Sequence, residues 1–167
     1  RRVMTADARD TGEPALTDKA LALVIARKNE QDPVRMAMLQ ALVAWPRAVW
    51  RKQHVPVLAQ IFRDALDAGD LSHGTAIAAE SLLIRTFALD PAAAAVWLGT
   101  FLKERGNLYD ARIGVHLTDA DLKVAAPHLL AVATTWAAQE RTQPLFQLCQ
   151  SLGERLHLVP GLAELLE

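Results

Sequence analysis

Apolar residues recur along this chain at spacings of three and four, and the recurrence is interrupted by residues that open or close helices. The cleanest case is Leu58, Ile61, Phe62, Ala65 and Leu66, which fall at i, i+3, i+4, i+7 and i+8 and share one helical face before Gly69 stops the run. Upstream, Thr17 is placed to cap a helix reaching about Asn29, with Leu21, Val24 and Ile25 facing one way. Asp32-Pro33 opens the next, because a carboxylate suits the free amides of a first turn and proline there forfeits no hydrogen bond. Its stripe is Val34, Met38, Ala41, Leu42 and Trp45, and Pro46 ends it. Ala48 to His54 reads as a connector or a short helical turn.

Beyond Gly69, Ser72 is an N-cap for a helix carrying Ala79, Leu82, Leu83 and Phe87 and ending near Leu89. Asp90-Pro91 repeats the opening device for a helix with Ala93, Val96, Trp97, Thr100 and Phe101 on one side and Gly106 as its stop. Asn107 to Leu117 fits a short helix, although Ile113, Val115 and Leu117 also alternate as a strand would. Thr118 and Asp121 have the spacing of a capping box. The phase of Leu122, Ala125, Ala126, Leu129, Leu130, Ala133, Trp136 and Ala137 continues past Pro127, which predicts one long helix kinked at the proline. Thr142 caps a further helix with Leu145, Leu148, Cys149, Leu152 and Leu156 inward, and Pro160 begins another. The pattern predicts an all-α fold of about seven to eight helices.

Composition supports that class. The 167 residues are 51% apolar, and the apolar share is carried by Ala and Leu, which favour helices. A chain of this length buries a core without disulfides or metals. The formal charge of −1 lacks the strongly basic balance of many nucleic-acid-binding domains. The single Cys149 excludes an internal disulfide framework and suits a reducing compartment. No apolar run approaches the roughly 18 residues of a membrane span, and the N-terminus lacks the apolar core of a signal peptide. These features lead to the expectation of a cytoplasmic protein, and Ala-rich, Arg-rich usage leans toward a bacterial source. Residues 1–14 are polar and aperiodic and read as a flexible arm or linker, with one helical domain over 15–167. Arg1 in place of an initiator Met and an ending inside an amphipathic run suggest a piece of a longer protein.

Helix pairs begin near Thr17, Val55 and Asp90, steps of roughly 35 to 40 residues that lie in the range of helical-repeat arrays. Asp32-Pro33-Val34-Arg35-Met36-Ala37-Met38-Leu39-Gln40-Ala41-Leu42 resembles the second-helix signature of HEAT repeats, with Val34 one position earlier than in the longer form of that pattern. Trp97-Leu98-Gly99, Phe101 and Gly106 to Ala111 are similar to a tetratricopeptide repeat, with Trp and Gly two apart instead of four. The HEAT-like resemblance implies an α-α superhelix of antiparallel helix pairs, of HEAT/armadillo type, whose concave face binds a protein, a peptide or, less often, a nucleic acid. The expected function is therefore a non-catalytic interaction or scaffolding module with no cofactor. A nucleic-acid-binding or nucleic-acid-processing role is the alternative.

Candidate chemistry is concentrated in one place. Residues 33–63 contain no acid but hold Arg35, Arg47, Arg51, Lys52 and Arg63, whereas residues 64–84 contain Asp64, Asp67, Asp70 and Glu80 and no Lys or Arg. Within the basic part, Trp45, Arg47, Trp50, Arg51, Lys52 and His54 crowd the connector, where guanidinium and aromatic groups suit phosphate, a nucleobase or an acidic peptide. Arg47, Trp50, Arg51, Lys52 and His54 are the candidate binding residues. The competing reading packs the tryptophans in the core and leaves the bases as a solvated rim. If Arg47, Trp50, Arg51 and Lys52 line a concave face with Trp50 exposed, binding of an anionic ligand gains ground, whereas a Trp50 buried between helices removes it. The histidines, His54, His73, His116, His128 and His157, show no ligand spacing, so no metal is expected. Asp110, His116, Asp119 and Asp121 form the densest acidic cluster, which capping explains most simply. Cys149 lies on an apolar face and reads as core, and neither a GxSxG elbow nor a glycine-rich phosphate loop is present.

Overall fold

The computed structural model describes residues 14–109 and 112–166, and among them the chain is all-α, with eight α-helices, four short 3-10 turns and no strand. The arm expected over 1–14 lies outside the described residues apart from Pro14. Two compact units follow one another along the chain, the first closing at Arg85 and the second starting at Thr86. No described helix is long and apolar enough to cross a membrane.

The first unit contains α1 (Pro14–Ala26), α2 (Asp32–Val43), 3-10 turns at Arg47–Val49 and Lys52–His54, α3 (Val55–Asp67) and nearly all of α4 (His73–Thr86). Helix α1 starts at Pro14, so Thr17 is a fully buried residue within it and not the cap. Helix α3 buries Leu58, Ile61, Phe62, Ala65 and Leu66 as its spacing predicts and packs along α1. Ser72 caps α4, its hydroxyl accepting from the Thr75 amide at 3.2 Å.

Helix α2 turns a different face inward than expected. Its buried residues are Arg35, Leu39 and Leu42, while Val34 is 41% exposed. The reason is a polar network that makes burial of a guanidinium favourable. Arg35 donates to the Glu30 carbonyl at 2.9 Å and to Asp32 at 3.3 Å, and pairs closely with Asp70 in the α3–α4 loop. Asp32 accepts from the Ser72 amide at 3.2 Å instead of capping its own helix, and its own amide donates to Asp70 at 3.1 Å. The start of α2 is thereby tied to the segment that starts α4.

The second unit holds α5 (Pro91–Arg105), α6 (Ile113–His116), α7 (Asp119–Ala138) and α8 (Thr142–Leu152), with closing 3-10 turns at Gly153–Leu158 and Ala163–Leu166. Asp90 caps α5 by accepting from Ala93 at 3.1 Å, and Gly106 ends it at φ 82°, a left-handed conformation that glycine adopts freely. Helix α5 buries Ala94, Ala95, Leu98, Phe101 and Leu102, while Val96 is 50% exposed and Trp97 and Thr100 are half-buried. A run of four alanines followed by Val, Trp and Leu has no polar residue to fix its phase, and the extensive face against α7 selects the orientation.

The stretch before α7 is one helical turn, as favoured over a strand. Thr118 and Asp121 form the expected capping box, with reciprocal bonds of 3.1 and 3.0 Å, and α7 runs continuously through Pro127. Thr142 opens α8 without capping it, and Pro160 leads into a 3-10 turn and not an α-helix. Cys149 is buried, which pushes its thiol pKa up and fits a core role.

Candidate functional site

The connector between α2 and α3 begins where Pro46 prevents α2 from continuing. Residues 47–54 then turn twice, Val49 and Trp50 donating back to Pro46 and Arg47 at 3.2 Å and His54 back to Arg51 at 3.0 Å. These turns point the aromatic residues inward and the cations outward. Trp45 is 1% exposed, Trp50 7% and His54 2%. The Trp45 and Trp50 rings lie 5.2 Å apart at 32°, and the imidazole meets Trp50 edge-on at 6.0 Å and 75°. Arg47, Arg51 and Lys52 are exposed.

The five sequence candidates therefore separate by face, and the burial of Trp50 is the outcome expected of tryptophans packed in the core. Trp50 and His54 form the base of the connector, and Arg47, Arg51 and Lys52 form its surface. Trp50 offers no free ring face on which a nucleobase could stack. Arg51 folds its guanidinium back onto the carbonyls of Ala48 and Trp50, the latter at 3.0 Å, which holds its charge over the turn.

Arg85 belongs to the same cluster although it lies 40 residues from Trp45 in sequence. From the end of α4 it donates to the Trp45 carbonyl at 2.6 Å. Burial and the nearby charge of Arg47 both hold its guanidinium below its usual pKa. Neither Arg47 nor Arg85 has a carboxylate partner among the described residues. The other two bases of the acid-free stretch are neutralised: Arg35 by Asp32 and Asp70, and Arg63 by Asp67 at 2.5 Å. These pairs partly close in space the separation of charge seen along the sequence.

His54 joins the base to α1. Its Nδ1 accepts from the Arg51 amide at 3.0 Å, so the neutral ring carries its proton on Nε2. Nε2 lies 3.3 Å from Asp18 Oδ1 but is too poorly aligned for a hydrogen bond. Burial lowers the pKa below 6.5; Asp18 opposes the shift and the Arg51 charge adds to it. An unfolded chain consequently binds more protons than the folded one just below pH 6.5, so stability is complete above that pH and falls as pH drops through the lower folded value. Urea midpoints at about pH 8 and about pH 5 are expected to differ more in the native protein than in His54→Gln, because only the native protein has the buried imidazole to charge. Equal acid sensitivity in the two would mean that His54 is not the group responsible.

Two open grooves lie among the described residues of the second unit. One, of about 580 Å³, lies beside Arg112, Val115, Ser151 and Arg155. There Arg155 braces the carbonyls of Gly114 and Leu117 at 2.7 and 2.6 Å and pairs with Asp119 at 2.6 Å. Gly114 is required where α6 approaches the end of α8, since a Cβ would fall 2.2 Å from the Leu152 carbonyl oxygen. Asp119 and Asp121 are thus engaged in an ion pair and a capping box, and Asp110 lies outside the described residues. No group of His, Cys, Asp and Glu side chains suited to a metal exists among the described residues. The other groove, of about 380 Å³, is lined by Leu145, Phe146, Leu165 and Leu166, with Phe146 54% exposed.

No protein-family model, curated protein or solved structure matches the chain.

Proposed function

We propose that this chain is a non-catalytic protein-interaction module of the helical-repeat kind, with the α2–α3 connector as its recognition surface. The observation that carries this reading is the division of the connector into a buried aromatic base of Trp45, Trp50 and His54 and an exposed rim of Arg47, Arg51 and Lys52. The bonds from Arg51 to the Ala48 and Trp50 carbonyls order one of these cations before a partner arrives, which removes part of the entropic cost of binding. The HEAT-like reading gains support from Asp32 and Arg35, the charged residues of the resembling motif, which tie one helical element to the next through Asp70 and Ser72.

Nucleic-acid binding is the second reading, favoured by the exposed cations alone. Burial of Trp50 weighs against it, because single-stranded sites combine cations with exposed aromatic faces.

Site-specific photocrosslinking in the cells that express the protein separates the two. A photoreactive side chain replaces Ala48 or Gln53, both exposed and uncharged, with Gln143 in the other unit as control. The expected result is one discrete protein adduct from the connector positions and none from Gln143. Absence of a connector adduct, or an adduct removed by nuclease, would overturn the proposal.

A further inference from the structure

We infer that the polar groove between the α1–α2 loop and the end of α3 binds a small zwitterion of the free α-amino acid class. The groove lies in the first unit and shares no residue with the connector.

It encloses about 480 Å³ beside Lys28, Asn29, Gln31, Arg35, Asp64 and Ala68, and among the described residues Ala68 is its only apolar liner. Arg35 and Asp64 also border a cleft of about 20 Å³ against Val24, Met38 and Ile61, which has room for one water molecule but not for a side chain. Arg35 is 6% exposed. Its Nη atoms are engaged by the Glu30 carbonyl, Asp32 and Asp70, but its Nε is buried with no acceptor among the described residues. Asp64 accepts from the Gln60 amide at 2.8 Å through Oδ1, and its Oδ2 is buried with no donor among them. Lys28 faces the same groove and has no carboxylate partner among the described residues.

A buried polar atom left unmet costs more than an ordinary hydrogen bond contributes, so a ligand that meets it binds with that cost removed. The unmet groups here have opposite signs. Arg35 Nε and Lys28 need an anionic acceptor, and Asp64 Oδ2 needs a cationic donor. A simple anion meets the first two and is repelled by Asp64, whereas a simple cation meets Asp64 and is repelled by Lys28. The neighbouring carboxylates of Asp67 and Asp70 do not alter this balance, because Arg63 and Arg35 already pair with them. A free amino acid carries both charges within one small molecule, its carboxylate suited to Arg35 and Lys28 and its ammonium to Asp64. Because the lining is polar and the apolar cleft is too narrow for a side chain, a polar amino acid fits better than an aliphatic one.

Isothermal titration calorimetry of the whole chain with L-glutamine tests this, with N-acetylglutamine, glutamine amide and L-leucine as comparators. Glutamine is expected to bind at about millimolar concentration or below. Each blocked analogue is expected to bind at least about tenfold more weakly, because each leaves one buried group unmet, and leucine is expected to bind more weakly than glutamine. Asp64→Asn, nearly isosteric at a half-buried position, is expected to lower glutamine affinity at least about tenfold with helicity unchanged by circular dichroism. Lys28→Gln, at an exposed position, is expected to lower it at least about threefold, whereas Arg47→Gln in the connector stays within about twofold. No glutamine binding, blocked analogues that bind as well as glutamine, leucine that binds as tightly, or an Asp64→Asn variant equal to the native protein would overturn the inference. If Asp64→Asn loses helicity, Lys28→Gln decides, and unchanged affinity in that variant overturns it equally.

Discussion

Replacing Trp45 with alanine is expected to destabilise the first unit by about 3–5 kcal/mol, the range for truncating a large buried aromatic. Trp45 is 1% exposed and stacks on Trp50 at 5.2 Å, so its loss removes apolar contact on several sides and a specific ring pair. The carbonyl that holds Arg85 belongs to the same residue, and collapse of the backbone into the space left behind moves that acceptor. Chemical unfolding followed by far-UV circular dichroism measures the effect. Against the roughly 5–15 kcal/mol typical of a folded domain, the midpoint shift is expected to be large. Trp97→Ala, at a half-buried position in the second unit, provides the comparison and is expected to cost less. A loss below about 1 kcal/mol for Trp45→Ala would contradict its place in the core.

Arg35→Ala is expected to cost about 2–3 kcal/mol, because hydrogen bonds to charged groups contribute about 1.5–3 kcal/mol and the solvent-facing side of the network recovers hydration. The variant leaves the Glu30 carbonyl and the Asp32 carboxylate without their buried donor. Lysine is not an adequate substitute, since a single ammonium cannot reach three acceptors with the geometry of a planar fork. The network also has a pH signature. Burial opposes ionisation of Asp32, but bonds from Ser72 and Thr75 and the charge of Arg35 outweigh it and hold the carboxyl below its usual value. Bonding to Arg35 does the same for Asp70. Both groups therefore contribute stability that is complete above the ordinary carboxylate range and is lost as pH falls through their lower folded values. The native protein is expected to lose stability on acidification through that window, and Arg35→Ala to lose less. Identical acid profiles would sink this account of the network.

The helices were legible wherever a local residue fixes a local group. The Thr118–Asp121 capping box, the Asp90 cap, the Gly106 stop and the apolar stripe of α3 depend on neighbours within a turn or two, and the structure places each as read. The inward face was legible in α3, where polar residues mark the outside, and not in α5, whose Ala-rich sequence is compatible with several phases. Helix α2 misled the reading because burial of an arginine depends on Asp70, 35 residues away. The candidate surface shows the same division. Its cations stood out in sequence, but the orientation of Trp50 follows from two 3-10 turns whose geometry has no simple sequence signal. Arg85 was missed because its bond to the Trp45 carbonyl, 40 residues away in sequence, is a tertiary fact. The available signal was a lone cation inside the apolar run Leu82-Leu83-Ile84-Arg85-Thr86-Phe87, a position at which a charge needs a polar partner.

The central claim is the proposal that the exposed cations of the connector are where this protein meets a partner. Titration of the isotopically labelled chain with a Glu-rich peptide, followed by amide and arginine side-chain NMR shifts, tests it most directly. The predicted result is a set of saturating shifts confined to residues 46–54. Shifts centred instead on the Phe146 and Leu166 groove, or none at any position, would contradict it.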